Sequence, residues 1–402
     1  MERVVITGQG AISALGVGVK ENWSNLKDGV CGIDNLDIPD IERLNIKIGA
    51  AVKNYTETDY FSPQQISLYD RFTQFAIISA DEALSQAGLE INSCLAPKVG
   101  VVIGSAGGGL QTQDDNFKSV YAHKKKRLHP FIVPKLMNSA AASQLSIIHN
   151  IQGPSFTVST ACASSNHAMG QAFKMIQSGS ILVALTGGTE SMLCFGGLKA
   201  WEGLRVMTND VCRPFSADRN GMVQGEGAAI FVFEQYEHAR ARGANILAEV
   251  IGFSMTSDAS DVVKPNKLGA ARAISEALND SNLNPTEVDY INAHGTGTNL
   301  NDKTECEAIR QVFGKHAEKL MISSTKSMHG HLIGGAGAIE LIASIMVLQD
   351  GVIPPTINYN KIDPNCKLDV VPNYAREAKV ETLLSNAFAF GGMNAVLALK
   401  RI

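Results

Sequence analysis

Residues 153–169 read GPSFTVSTACASSNHAM. Phe156–Ser159 has the β-branched and aromatic content of a short buried strand. It runs into a turn of small residues, and a helix is expected to begin at or just after Cys162. At such a helix N-terminus the unpaired backbone N–H groups and the positive end of the helix dipole face the thiol. Both favour the thiolate, which is the reactive form of cysteine. Ala161, Ala163, Ser164 and Ser165 leave room for a substrate to approach. Taken alone, the stretch fits a buried structural cysteine equally well.

The same alternation continues on both sides of this unit. Val4–Thr7, Val99–Ile103, Ile181–Thr186 and Ile230–Phe233 read as buried strands, with amphipathic helical stretches such as Phe72–Ala87 and Ala163–Gln177 between them. A polar helical segment, Tyr236–Asn245, separates this block from a second one. There, strands are expected at Ile246–Gly252, Tyr290–Asn292, Met321–Ser323 and Val396–Leu399. Helices are expected at Gly269–Leu278, Asp302–Phe313 and Ala336–Leu348. The rhythm implies an α/β protein with a largely buried sheet. It divides the chain into residues 1–240 and 241–402, two halves of similar layout without an evident sequence repeat.

Composition narrows the classes. The 402 residues are 45% hydrophobic and 18% charged, as in ordinary globular proteins, and the formal charge of −4 argues against a nucleic-acid binder. The most apolar helical stretch, Ile339–Leu348, is too short to cross a bilayer, and no leader pattern opens the chain. The expected location is the cytoplasm. Seven cysteines are scattered without a CxxC pair or a Cys/His metal spacing, so neither a disulfide framework nor a metal site is expected.

Three further segments carry polar chemistry. Residues 292–298 read NAHGTGT and put His294 on a glycine-rich loop after a strand, with the Thr296 and Thr298 hydroxyls beside it. Residues 323–337 read SSTKSMHGHLIGGAG, clustering Lys326, His329 and His331 ahead of a glycine turn. This turn fits neither a Walker nor a Rossmann pattern. Its glycines instead suit tight packing against another backbone. Residues 385–394 read SNAFAFGGMN, in which Phe388 and Phe390 precede the adaptable pair Gly391 and Gly392.

Together the series TACAS, NAHGTGT, STKSMHGH and AFGGMN resembles the elongating β-ketoacyl-acyl-carrier-protein synthases, the Cys-His-His branch of the thiolase superfamily. The similarity spans the whole chain, and the C-terminal third resembles nodulation-type and polyene-type members. The resemblance implies a five-layered αβαβα thiolase-like fold of two similar halves, normally dimeric. It implies a decarboxylative condensation that lengthens an acyl chain by two carbons in fatty-acid or polyketide synthesis, with substrates carried on phosphopantetheine and no metal or redox cofactor.

By matching motifs, Cys162 takes the place of the acylated nucleophile, His294 and His331 those of the two active-site histidines, and Lys326 that of the lysine. Phe390 corresponds to the gating phenylalanine. Thr296 and Thr298 meet the phosphopantetheine arm, with Phe388, Gly391 and Gly392 on the substrate side. Asp302 and Glu305 are supporting acids, Glu305 as the expected partner of Lys326. His329 reads as a loop variant. Gly107, in SAGGGL, stands where bulkier residues are common in the family, and a deeper acyl pocket is expected from it. The basic run HKKKRLH offers Lys126 and Arg127 for docking an acidic acyl-carrier protein.

Other readings are a silent chain-length-factor subunit, a non-decarboxylating thiolase and a Cys-His hydrolase. Cys162 with both histidines opposes the first. The missing second cysteine motif opposes the second, and the second histidine and the lysine oppose the third. An active subunit working within a heterodimer stays open beside a homodimer.

Overall fold

The computed structural model describes residues 1–402. Ten strands make up the path of its main sheet: β1 (Val4–Ser13), β2 (Val99–Gly104), β3 (Ser155–Val158), β4 (Val183–Glu190), β5 (Gly227–Gln235), β6 (Ala248–Ser257), β7 (Tyr290–Asn292), β8 (Met321–Ser323), β9 (Thr382–Ala389) and β10 (Met393–Lys400). Their order across the sheet is β8-β7-β9-β10-β6-β1-β5-β4-β2-β3.

That order contains a duplication. In the first half β2 pairs parallel with β3 and β4, β4 antiparallel with β5, and β5 antiparallel with β1. In the second half β7 pairs parallel with β8 and β9, β9 antiparallel with β10, and β10 antiparallel with β6. The two five-stranded units have one topology. They join only through Val4–Ile6 of β1 against Ala248–Val250 of β6.

Five helices account for the layers: α1 (Arg71–Ala87), α2 (Ser164–Gln177), α3 (Lys267–Asp280), α4 (Asn299–Phe313) and α5 (Ala336–Asp350). The α2 and α5 helices each follow the third strand of their half and pack together in the central layer. There Met169, Phe173 and Ile176 share a core with Ile339, Ile342 and Ile345. On one outer face α1 covers the first unit, with Phe72, Ala76 and Ala80 against Val101 and Ile103. On the other, α3 and α4 cover the second, with Ile274 and Ile309 against Ile291 and Val396. The result is the five-layered αβαβα arrangement.

Strands β7 and β8 have the expected bounds, whereas β1 runs six residues further than its apolar run. Gly8 and Gly10 make the extension possible. A Cβ on either would stand 2.0 Å from a carbonyl oxygen of α1, so the helix lies directly on the strand only because both side chains are absent. Strand β9 is a difference from the sequence reading, which places no strand between Met321–Ser323 and Val396–Leu399. Its polar Ser385 and Asn386 are buried inside the protein.

The apolar stretch near the C-terminus is also longer than its sequence reading. Ile333–Asp350 is long and apolar enough to span a bilayer, yet 83% of it is buried within the fold. Its even apolarity comes from lying between two sheets, where a helix has no solvent face.

Candidate active site

The site forms where the central helices begin. Ala161 and Ile333 both adopt φ of 47°, an unfavourable backbone for a residue with a side chain. Each opens a short 3₁₀ turn, Ala161–Ala163 and Ile333–Gly335, leading into α2 and α5 respectively. Matching bonds close the turns: Ala163 N–H donates to Thr160 O at 3.1 Å, and Gly335 N–H to Leu332 O at 2.9 Å. Cys162 and Gly334 therefore occupy equivalent places in the two halves. Only one half carries the thiol.

The Cys162 sulfur and one ring nitrogen each of His294 and His331 all lie within 4.8 Å of one another, and all three residues are buried. The imidazole rings stand 5.4 Å apart at 82°. Their hydrogen bonds determine which nitrogen faces the centre. The Ile333 backbone N–H donates to His331 Nδ1 at 3.1 Å, so the His331 proton resides on Nε2, which has no partner within the protein. Lys326 Nζ lies 3.4 Å from His294 Nδ1 and donates to His294 O at 2.6 Å. An ammonium there makes His294 Nδ1 an acceptor as well.

Burial first, then the nearby Lys326 charge, hold both imidazoles well below the usual histidine range. Two neutral N–H donors thus converge beside the thiol. Although Cys and His are metal-ligating types, both rings present a proton rather than a lone pair to the centre. This disfavours a cation and suits an oxygen that acquires negative charge.

Cys162 does not rest as the ready thiolate expected from its place at a helix N-terminus. Burial pushes the Cys162 thiol up to about 11, while Lys326 and the Phe390 and Cys162 backbone N–H groups pull it the other way. Desolvation of the anion outweighs those pulls. The same two N–H groups converge on sulfur and define a place for an oxyanion.

The acidic residues take different roles from those expected. Lys326 pairs with Glu340 of α5, not with Glu305. Glu305 instead accepts from the His294 N–H at 2.9 Å, the Gly295 N–H at 2.8 Å and the Asn386 side chain at 3.2 Å. The α4 helix places Glu305 under the NAHGTGT backbone, whereas the second turn of α5 brings Glu340 to the ammonium. Asp302 ties the same loop to Phe215, accepting from the Gly297 N–H at 3.2 Å and the Phe215 N–H at 2.8 Å. His329 is buried with both nitrogens occupied, by Gly330 O at 2.8 Å and Thr325 Oγ1 at 2.9 Å. It has no free function toward the centre.

A cavity leads from Cys162 to the surface, lined by His294, His331, Thr296, Thr298, Phe388, Phe390 and Gly392 among others. The Thr296 and Thr298 hydroxyls are 2.9 Å apart. Phe388 meets the His294 ring edge-on at 6.2 Å. Gly391, with φ of 80°, shapes the turn beside it.

Gly107 does not line this cavity. Its vacant side-chain volume is already filled, because a Cβ there would stand 2.0 Å from the Met192 methyl. The deeper pocket expected from Gly107 is thus closed by Met192. Lys126 and Arg127 are exposed, and neither forms an ion pair.

Several site residues carried no sequence signal. Glu190 is fully buried at the end of β4 and accepts from Ala106 N–H at 2.8 Å and Gly334 N–H at 3.1 Å, tying the SAGGGL loop to the turn before α5. Burial raises its carboxyl to about 7. Trp201, Arg205 and Lys264 line the cavity from segments outside the four motifs. The GTE ending of β4 offered the one hint, an acid closing an otherwise apolar strand.

Comparison with known proteins places this geometry. Residues 1–239 match the beta-ketoacyl synthase N-terminal domain, and residues 247–360 match the beta-ketoacyl synthase C-terminal domain. Nodulation protein E of Rhizobium sp. (strain N33) is 46% identical over 400 residues, covering 100% of this chain and 99% of that protein. The 3-oxoacyl-[acyl-carrier-protein] synthase 2 of Staphylococcus aureus (strain COL) is 41% identical over 407 residues, covering 100% and 98%. Among solved structures, the ishigamide ketosynthase/chain length factor superposes with a TM-score of 0.95 at 35% identity, covering 100% and 99%. A beta-ketoacyl synthase from Burkholderia phymatum STM815 gives 0.92 at 32% identity, with both chains fully covered.

Proposed function

The chain belongs to the β-ketoacyl synthase family, and from that premise we propose how its own residues carry out the condensation. The activity is that of a 3-oxoacyl-[acyl-carrier-protein] synthase, an acyltransferase with a thiolase-like fold acting in fatty-acid or polyketide synthesis. The Cys162 sulfur attacks an acyl-carrier thioester, and the carrier thiol leaves with the proton. A malonyl-carrier then loses CO2, and the electron pair of the broken bond passes into an enolate. The Nε2–H groups of His294 and His331 donate to its oxygen. The enolate carbon attacks the acyl carbonyl, whose oxyanion rests on the Cys162 and Phe390 N–H groups. The bond to Cys162 breaks, the thiol regains a proton, and the β-ketoacyl-carrier departs.

The observation that supports this reading is the pair of neutral N–H donors aimed at one point beside the thiol. Removing one such donor from an oxyanion site costs roughly 10²–10³ in rate. Lys326 keeps His294 in its donor tautomer, Glu305 and Asp302 hold the loop, and Thr296 and Thr298 meet the arm of the carrier. Phe388, Phe390, Gly391 and Gly392 form the acyl side. Lys126 and Arg127, with Arg205 and Lys264 at the cavity mouth, present positive charge to an acidic carrier. The halves 1–240 and 241–402 contribute the thiol and the histidines respectively. The chemistry needs no metal or redox cofactor. Seven free cysteines suit a reducing cytoplasm.

Intact-protein mass spectrometry with acyl-carriers of several lengths, wild type beside Cys162→Ala, tests the assignment. An adduct on wild type alone, discharged as β-ketoacyl-carrier by malonyl-carrier, is expected. A Cys162→Ala protein that still acquires the acyl group would overturn it. Likeness to a ketosynthase/chain length factor favours a dimer, in which the partner is a second copy or a related subunit.

A further inference from the structure

The cavity beside Cys162 contains one stacked pair of aromatic rings. The Trp201 and Phe390 rings are stacked, with centroids 5.9 Å apart and planes inclined by 25°. Both line the cavity with Cys162. Trp201 lies near the end of the helix Phe195–Gly203 and also packs on the apolar cluster of Cys162, Met192, Leu198 and Ile333. Phe390 lies on the turn between β9 and β10. The backbone of that turn is fastened on its far side, Gly391 N–H to Val262 O at 2.8 Å and Asp258 N–H to Gly392 O at 2.8 Å. With the backbone held, the remaining freedom is in the Phe390 side chain. No other ring stacks on it.

We propose that Trp201 is a positioning residue that holds the Phe390 ring over the Cys162 cavity, so that an acyl chain must part the two rings to reach the apolar cluster behind them. An offset aromatic stack biases such an equilibrium by roughly two- to tenfold, enough to tune entry without sealing it. Trp201 thereby sets how readily the thiol is reached and how strongly the protein discriminates among acyl groups. The discrimination rests on the reading of Cys162 as the acyl acceptor. The latch itself does not.

The test is the rate of Cys162 alkylation by iodoacetamide, followed on its peptide by mass spectrometry, in wild type, Trp201→Ala, Trp201→Phe, Phe390→Ala and the double alanine variant. Trp201→Ala is expected to speed alkylation two- to tenfold, Trp201→Phe to stay near wild type, and Trp201→Ala to add nothing once Phe390 is alanine. An equal gain in the Phe390→Ala background would mean that space alone matters, and the latch would be wrong; so would no gain at all.

A second readout uses the presence of only two tryptophans. In a Trp23→Phe protein the Trp201 emission should shift when an acyl-carrier acylates Cys162, and not in Cys162→Ala. Emission unmoved by a verified acyl adduct would overturn the latch. Absence of any adduct would instead count against the condensation reading, leaving the alkylation result to judge the latch.

Discussion

The Ile333 backbone N–H donates to His331 Nδ1 at 3.1 Å, which places the only His331 proton on the nitrogen facing Cys162. The donor residue is itself held at φ of 47° as the first residue of the turn before α5. Backbone strain at one residue thus fixes the tautomer of another two positions away, and the tautomer decides whether the ring donates or accepts.

His331→Ala should lower malonyl decarboxylation by roughly 10²–10³ while leaving acylation of Cys162 within a few-fold of wild type. Because both imidazoles are held well below the ordinary histidine range, neither ring should gain a proton as pH falls from 8 to 6, whereas burial raises the Glu340 carboxyl beside Lys326 to about 7. Separate assays of acyl transfer and CO2 release measure the two steps. Protonation of either imidazole near pH 6.5, followed by NMR of the ring carbons, would contradict the neutral-donor assignment.

Burial keeps Cys162 protonated at neutral pH. Raising the folded-state value means that the thiolate fraction grows about tenfold for each pH unit up to about 11. Alkylation of Cys162 by iodoacetamide should accordingly climb steadily between pH 7 and 10. A rate already at plateau at pH 7 would show a thiolate stabilised at rest.

Glu340 and Glu305 should separate by phenotype. Glu340→Gln leaves the buried Lys326 ammonium without its counter-charge, and breaking such a pair typically costs about 3–5 kcal/mol. A large drop in unfolding temperature is expected. Glu305→Gln keeps one carbonyl acceptor for the His294 loop but replaces the other with a donor, so kcat for decarboxylation should fall more than stability does. Denaturant melts beside steady-state kinetics distinguish them, and equal effects on both readouts would speak against distinct roles.

Met192 occupies the volume that Gly107 leaves free. Met192→Ala should therefore lengthen the preferred acyl chain, and Gly107→Ile should shorten it by driving the flexible methionine into the cavity. Adduct yields across an acyl-length series measure both. Unchanged preference in Met192→Ala would show that the chain takes another route.

Much of the site was legible because its residues lie in short local patterns. Cys162 follows a strand and opens a helix, His294 lies on a glycine-rich loop after a strand, and Lys326 and His331 precede an apolar helix. Partners that come from distant elements were not legible. Glu305 was the natural choice for Lys326 on motif grounds, yet Glu340 reaches it, since the pairing depends on how the start of α5 meets the loop after β8. Similarly, Gly107 looked like open space, and only the neighbouring Met192 side chain shows it filled.

The amino-acid sequence by itself determined the strand–helix alternation, the two-block layout and the thiol, histidine and lysine set, because these follow from local periodicity and the motifs around each residue. Tertiary structure alone decided which imidazole nitrogens carry protons, that burial raises the Cys162 thiol despite Lys326 and two backbone N–H groups, and that Trp201 stacks on Phe390. Each of those depends on contacts between segments far apart in the chain. Desolvation and hydrogen bonding act through space, and no local pattern of residues records them.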